Sequence, residues 1–203
     1  MKPQELVKLY HAVLEKQTER KWFWSRKRTF SSALKALGHS PEEILAEATA
    51  TLLSEGDRMT PEEIDAAFSL TCQPSENTQS IDLLHHLLAL QNHYMHEEVA
   101  TGLQIEADPR SVEPLESAIS NGLEDDRFNH LKPFERKCFF ALSEIGTSEA
   151  WTAIDRFANS EDAEIREFAK EQLLRHGRID APNKPQTGRA EQAEDAKPDN
   201  APS

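Results

Sequence analysis

Six side chains between positions 85 and 98 are of types that hold metal ions: His85, His86, His93, His96, Glu97 and Glu98. Imidazole and carboxylate together suit iron or zinc. On one continuous helix His86, His93 and Glu97 would share a face, at spacings of seven and four. The plainer reading makes them solvated helix residues. The chain is read as carrying no cofactor, with those three as the alternative metal ligands. The stretch GDRMTPEEIDAAF, 56–68, superficially resembles the exit of an EF-hand, but the alternating oxygen ligands before the glycine are missing.

A second kind of chemistry is recognition. Trp22-Phe23-Trp24 sits among Arg20, Lys21, Arg26, Lys27 and Arg28. Such a segment could stack on nucleic-acid bases or enter a membrane surface. Paired tryptophans more often anchor a core, and a third option is docking on an acidic part of the same chain. Glu124, Asp125 and Asp126 form one acidic group, and Glu161, Asp162 and Glu164 another; plain solvation is the alternative for both. The residues expected to meet a partner are Glu124, Asp125, Asp126, Glu161, Asp162, Trp22 and Trp24. Nucleophilic chemistry has little support. Cys138 lies among Phe139, Phe140 and Ala141 and reads as a small buried hydrophobe, and Cys72 has no activating neighbour. Neither a glycine-rich phosphate loop nor a nucleophile elbow occurs. No enzymatic activity is expected.

The elements that would position these residues are helices. The chain has 203 residues but only 7 Gly, and β-branched residues are sparse, so the class is all-α. Leu6, Leu9, Tyr10, Val13 and Leu14 recur at helical spacing over 4–20. Ser40-Pro41-Glu42-Glu43 starts a helix near 41–54, with Gly56 as its stop, and Thr60-Pro61-Glu62-Glu63 starts another near 61–70. Gln73–Gln79 is a polar linker. Further helices are expected near 80–92, 95–106, 111–121, 133–145, 148–158 and 162–176. The division is therefore 1–75, an N-terminal helical region forming degenerate repeats or a cap; 80–177, repeats; and 178–203, a proline-rich disordered tail with one large aliphatic residue, Ile179.

The second half repeats. HEEVATGLQIEADPRSVEPLESAI, 96–119, aligns with ERKCFFALSEIGTSEAWTAIDRFA, 135–158, and in part with IREFAKEQLLRHG, 165–177. Leu103, Leu142 and Leu173 share one slot, and Val112 and Leu115 correspond to Trp151 and Ile154. The segments ALSEIG, 141–146, and ADPRSVEPL, 107–115, resemble the HEAT-like repeats of the bilin-lyase family and many bacterial scaffolds. The resemblance covers about 80–177. It implies a short right-handed α-solenoid of HEAT-like helix pairs, with additional N-terminal helices. Two activities would follow from resemblance alone. One is bilin-lyase-like. The other is that of the deoxyhypusine hydroxylases, HEAT-repeat enzymes with His-Glu di-iron ligands at one slot of several repeats. Anchoring on Leu103 puts Glu97-Glu98 in that slot, with His96-Glu97 one residue off. The matching slots hold Arg136-Lys137 and Glu167-Phe168, which cannot complete a di-iron centre.

Charge completes the reading. Residues 1–40 carry nine basic and three acidic residues; residues 41–177 carry ten basic and twenty-eight acidic. Such a body repels phosphate backbones and attracts basic partners. The expected function is a non-catalytic acidic scaffold or adaptor that binds a basic protein, one version being an immunity or antitoxin-type protein masking a basic toxin. Nucleic acid remains open only through residues 20–28. No apolar run is long enough to span a membrane and the first residues lack a secretory h-region, so cytoplasmic residence is the expectation.

Overall fold

The structure is a computed structural model and describes residues 1–18, 30–71, 80–122 and 132–179. It is all-α, with ten α-helices and no strand among the described residues. In chain order they are α1 (Pro3–Thr18), α2 (Phe30–Ala36), α3 (Pro41–Glu55), α4 (Pro61–Thr71), α5 (Ile81–Ala89), α6 (His96–Glu106), α7 (Val112–Asn121), α8 (Pro133–Ile145), α9 (Ser148–Phe157) and α10 (Ala163–Arg175). Short 3-10 turns cover Gly56–Arg58 and Pro109–Ser111.

The starts are written locally. Thr60 Oγ1 accepts from the Glu63 N–H at 3.3 Å while the Thr60 N–H donates to Glu63 Oε2 at 2.9 Å, a reciprocal capping box. At α3 only half of that device forms. Ser40 Oγ accepts from the Glu43 N–H, but its hydroxyl donates to Glu42. Asp162 caps α10 by accepting from the N–H groups of Glu164 and Ile165. Each such cap contributes about 0.5–2 kcal/mol.

The ends of α6, α8 and α10 share one geometry. Four residues after Leu103, Leu142 and Leu173 the backbone turns left-handed, at Ala107 (φ 48°), Gly146 (φ 65°) and Gly177 (φ 66°). The Ala107 and Gly146 N–H groups donate back to the Leu103 and Leu142 carbonyls. All three leucines are buried. Truncating Leu142 to alanine there would cost about 2–5 kcal/mol.

Packing follows from these faces. α1 and α3 both pack on α4, α2 lies against α1 and α3, and α3 meets α5. From there α5 packs on α7 and α7 on α9, while α6 packs on α8 and α8 on α10. Leu6, Leu9 and Val13 turn inward from α1, whereas Leu14 is exposed. One continuous core runs from Leu6 to Leu173, across the boundary expected at 73–79.

The structure departs from the expectations in three places. Helix α2, with Ala33 and Leu34 buried, was not among the expected helices, although Gly38 closes it in a left-handed turn (φ 86°) with the His39 N–H donating to the Leu34 carbonyl. α5 ends at Ala89 instead of continuing to 92. Gly56 does follow α3 as its C-cap, with φ −49°. It is needed because a Cβ there would lie 2.9 Å from His86 Nε2 and 3.2 Å from Leu90 Cδ1. Arg178, expected to begin the tail, donates its N–H to the Leu173 carbonyl at 2.8 Å and sets its guanidinium 4.2 Å from the Trp151 ring centre. The rest of the expected tail, from 180 on, lies outside the described residues, as do the linker at 72–79 and Cys72.

Candidate binding groove

The histidine cluster resolves first. The break after Ala89 puts His86 on α5, His93 in the connecting segment and Glu97 on α6, so the shared helical face proposed for them does not exist. His93 and His96 instead stack ring on ring at 3.8 Å, interplanar angle 11°. Each donates from Nε2 at 2.8 Å, His93 to the Leu87 carbonyl and His96 to the Leu90 carbonyl. His93 Nδ1 accepts from the Met95 N–H at 3.1 Å. The two rings thus donate to carbonyls at the C-terminal end of α5, where Leu87 also accepts from the Leu90 N–H at 3.1 Å. Burial holds His93 below the usual imidazole range. Burial and the neighbouring His93 push His96 down to about 4. Among the described residues no group of three or more His, Cys, Asp and Glu lies together as a metal site would require.

Among the described residues a Ser–His contact also occurs, with its serine buried. His85 Nε2 lies 2.9 Å from Ser111 Oγ, but Ser111 is 0% exposed. A small pocket of about 160 Å³ between α5 and α7 lies beside it. Cys138 is fully buried, and burial pushes its thiol up.

A larger opening lies on the even-numbered helices. Glu97 of α6, Pro133, Arg136, Lys137 and Phe140 of α8, and Ala163, Glu164, Glu167 and Phe168 of α10 line an open groove of about 670 Å³. Phe140 and Phe168 form its aromatic floor. The Arg136 guanidinium lies 5.6 Å from the Phe140 ring centre and 5.8 Å from that of Phe168. Arg136 also reaches Glu171 at 3.3 Å, and Arg175 pairs with the same carboxylate at 2.7 Å while lying over Phe140. Among the described residues, no ion pair or side-chain hydrogen bond engages the carboxylates of Glu97, Glu164 and Glu167 or the Lys137 ammonium. The rim therefore presents three available carboxylates against one available cation.

Sequence reasoning singled out Glu97 for metal and missed Phe140, Phe168 and Arg136. Yet the slot that fails as a di-iron site is this groove. Glu97, Arg136 and Glu167 each stand six residues before Leu103, Leu142 and Leu173, and Lys137 and Phe168 follow them. The equal offset from a buried leucine brings the three positions side by side on adjacent helices.

The expected partner contacts divide. Asp162 is engaged twice, as the α10 cap and in an ion pair with Lys132, whose hydrogen bond chiefly lowers its carboxyl below the usual range. Glu161 is exposed at the turn into α10. Glu124, Asp125, Asp126, Trp22 and Trp24 lie outside the described residues. Glu135, next to the groove, is the one buried acidic side chain among the described residues, and burial raises its carboxyl.

Charge is more segregated than the division at 41 implied. Residues 41–122 hold sixteen acidic residues and two basic ones, Arg58 and Arg110. None of the described acidic side chains in that stretch is buried. Arg110 is itself paired, at 2.9 Å to Asp108 and 3.7 Å to Asp82. Residues 132–179 are close to balanced, with eight basic and nine acidic.

Fold and surface together define an all-α protein with an acidic flank and an aromatic groove. No helix among the described residues is long and apolar enough to cross a membrane. Compared with protein-family models, with curated proteins and with solved structures, the chain has no match.

Proposed function

We propose that the protein is a non-catalytic, protein-binding α-solenoid, an acidic scaffold or adaptor that recognises a basic protein. In this reading α5–α10 stack as three HEAT-like pairs, α5/α6, α7/α8 and α9/α10, and α1–α4 cap the stack. The two chains of contact, α5 to α7 to α9 and α6 to α8 to α10, support that arrangement, as do the repeated leucine and left-handed cap. The observation that carries the function is the charge of the described residues in 41–122, fifteen acidic against two basic, with none of the fifteen buried. A field of that sign over one stretch of helices speeds encounter with cations and repels nucleic acid.

The test is affinity capture of the tagged full chain from its native cells, at low and at high salt, with a Glu97→Gln/Glu98→Gln variant in parallel. The expected result is a basic protein retained by the wild type at low salt, released at high salt and held less well by the variant. A partner held equally at both salts, or no protein that distinguishes the two chains, would contradict the proposal.

A further inference from the structure

The acidic flank gives a sign but no shape, whereas the groove gives both. Resting on the protein-binding reading above, we infer that the groove between α6, α8 and α10 takes a partner segment carrying one large apolar side chain flanked by lysines or arginines. The apolar half of the argument is the floor. Phe140 and Phe168 meet solvent at the bottom of a groove of about 670 Å³, room for an inserted side chain with its neighbours. An aromatic-lined concavity on a charged surface is the kind of place where an interface concentrates its binding energy.

The cationic half is charge complementarity. Arg136 belongs to Glu171 and to the two rings, so it is not offered to a ligand. Glu97, Glu164 and Glu167 line the opening from two different helices, with no ion-pair partner among the described residues. An acidic segment would meet three carboxylates and find only Lys137 to answer it. A second copy pressed groove to groove would double the three carboxylates in the shared space and add only a second Lys137 to answer them. A basic segment relieves that repulsion, and its apolar residue covers the rings. The flank at 41–122 carries the same sign up to Glu97, so the approach path and the site agree.

The probe is a short fluorescent peptide with a leucine flanked by lysines, titrated into the full chain and followed by anisotropy. Two control peptides replace the leucine by alanine or the lysines by glutamates. At low salt the lysine–leucine peptide should bind. Its alanine counterpart should bind about tenfold more weakly, and the glutamate peptide not at all. Glu164→Gln/Glu167→Gln, a change confined to groove-lining surface carboxylates, should weaken the lysine–leucine peptide several-fold, a difference that disappears at high salt. Equal binding of the leucine and alanine peptides would overturn the apolar anchor. Binding untouched by Glu164→Gln/Glu167→Gln would place the site elsewhere; both of those results leave the acidic-scaffold reading standing. Failure of every lysine peptide at low salt would remove both. Sedimentation of the same samples completes the test. A dimer of the wild type that Phe168→Ser disperses would show a second copy in the groove and overturn the inference.

Discussion

His93 and His96 show how little a residue's type says about its work until its neighbours are known. Both imidazoles are buried, stacked, and spent on the carbonyls of Leu87 and Leu90. Phe134 packs edge-on against His96, and the Asp65 charge partly opposes its loss of basicity. The unfolded chain takes up this proton near pH 6.5, the folded chain only near pH 4. Stability is therefore full above the unfolded value and falls as the pH drops through that window. For His96 alone the loss is about 3 kcal/mol at the acid end. Urea unfolding between pH 7 and pH 4 should show this fall, and His96→Gln, which keeps a donor for Leu90 but cannot charge, should flatten it. An equal fall in both chains would show that other groups carry the acid sensitivity. Sequence reasoning offered His86, His93 and Glu97 as alternative metal ligands only on the supposition of one continuous helix, while expecting separate helices near 80–92 and 95–106. The segment Leu90 to Met95 has no glycine or proline to announce the break. What sets it is tertiary: Asn92 donates to the Met59 carbonyl at 3.0 Å and the Tyr94 N–H to Asp65 at 3.2 Å.

Helix ends divide in the same way. Starts written by a serine or threonine with an acidic residue close behind were legible at Ser40 and Thr60, because the capping interaction is local, whereas Asp162 was read as a partner contact and instead caps α10. α2 was missed: its short run FSSALKA is held by Ala33 and Leu34 in the core, and its one local signal was the stop at Gly38. The repeated left-handed turn was visible only at its glycines. Ala107 occupies the position of Gly146 and Gly177 and bears a Cβ where φ is 48°. Ala107→Gly should relieve that strain and raise stability by about 0.5–1 kcal/mol, while Gly146→Ala should lower it by about 1–2 kcal/mol. Thermal or urea unfolding of both variants checks the pair; a destabilised Ala107→Gly would mean that the added freedom of the unfolded chain outweighs the relief. The same leucine register that fixes these caps also sets Glu97, Arg136 and Glu167 abreast, so the groove was encoded as a slot before it was recognisable as a surface.

At the scale of the molecule, charge was the most legible property, because none of the described acidic side chains from 41 to 122 is buried. The aromatic floor was harder to see. Phe140 and Phe168 look in sequence like core residues beside Phe139, which is fully buried, and only the packing of α8 on α10 leaves them at an opening. The helices form one core, with the acidic stretch upstream of the groove and the more balanced α8–α10 segment forming most of its walls. The most direct measurement is amide hydrogen exchange of the full chain with and without the protein it captures at low salt. Slowed exchange concentrated in α6 and in the groove-lining turns of α8 and α10, lost at high salt, is the expected result. Protection confined to α5, α7 and α9, or unchanged by salt, would contradict the account.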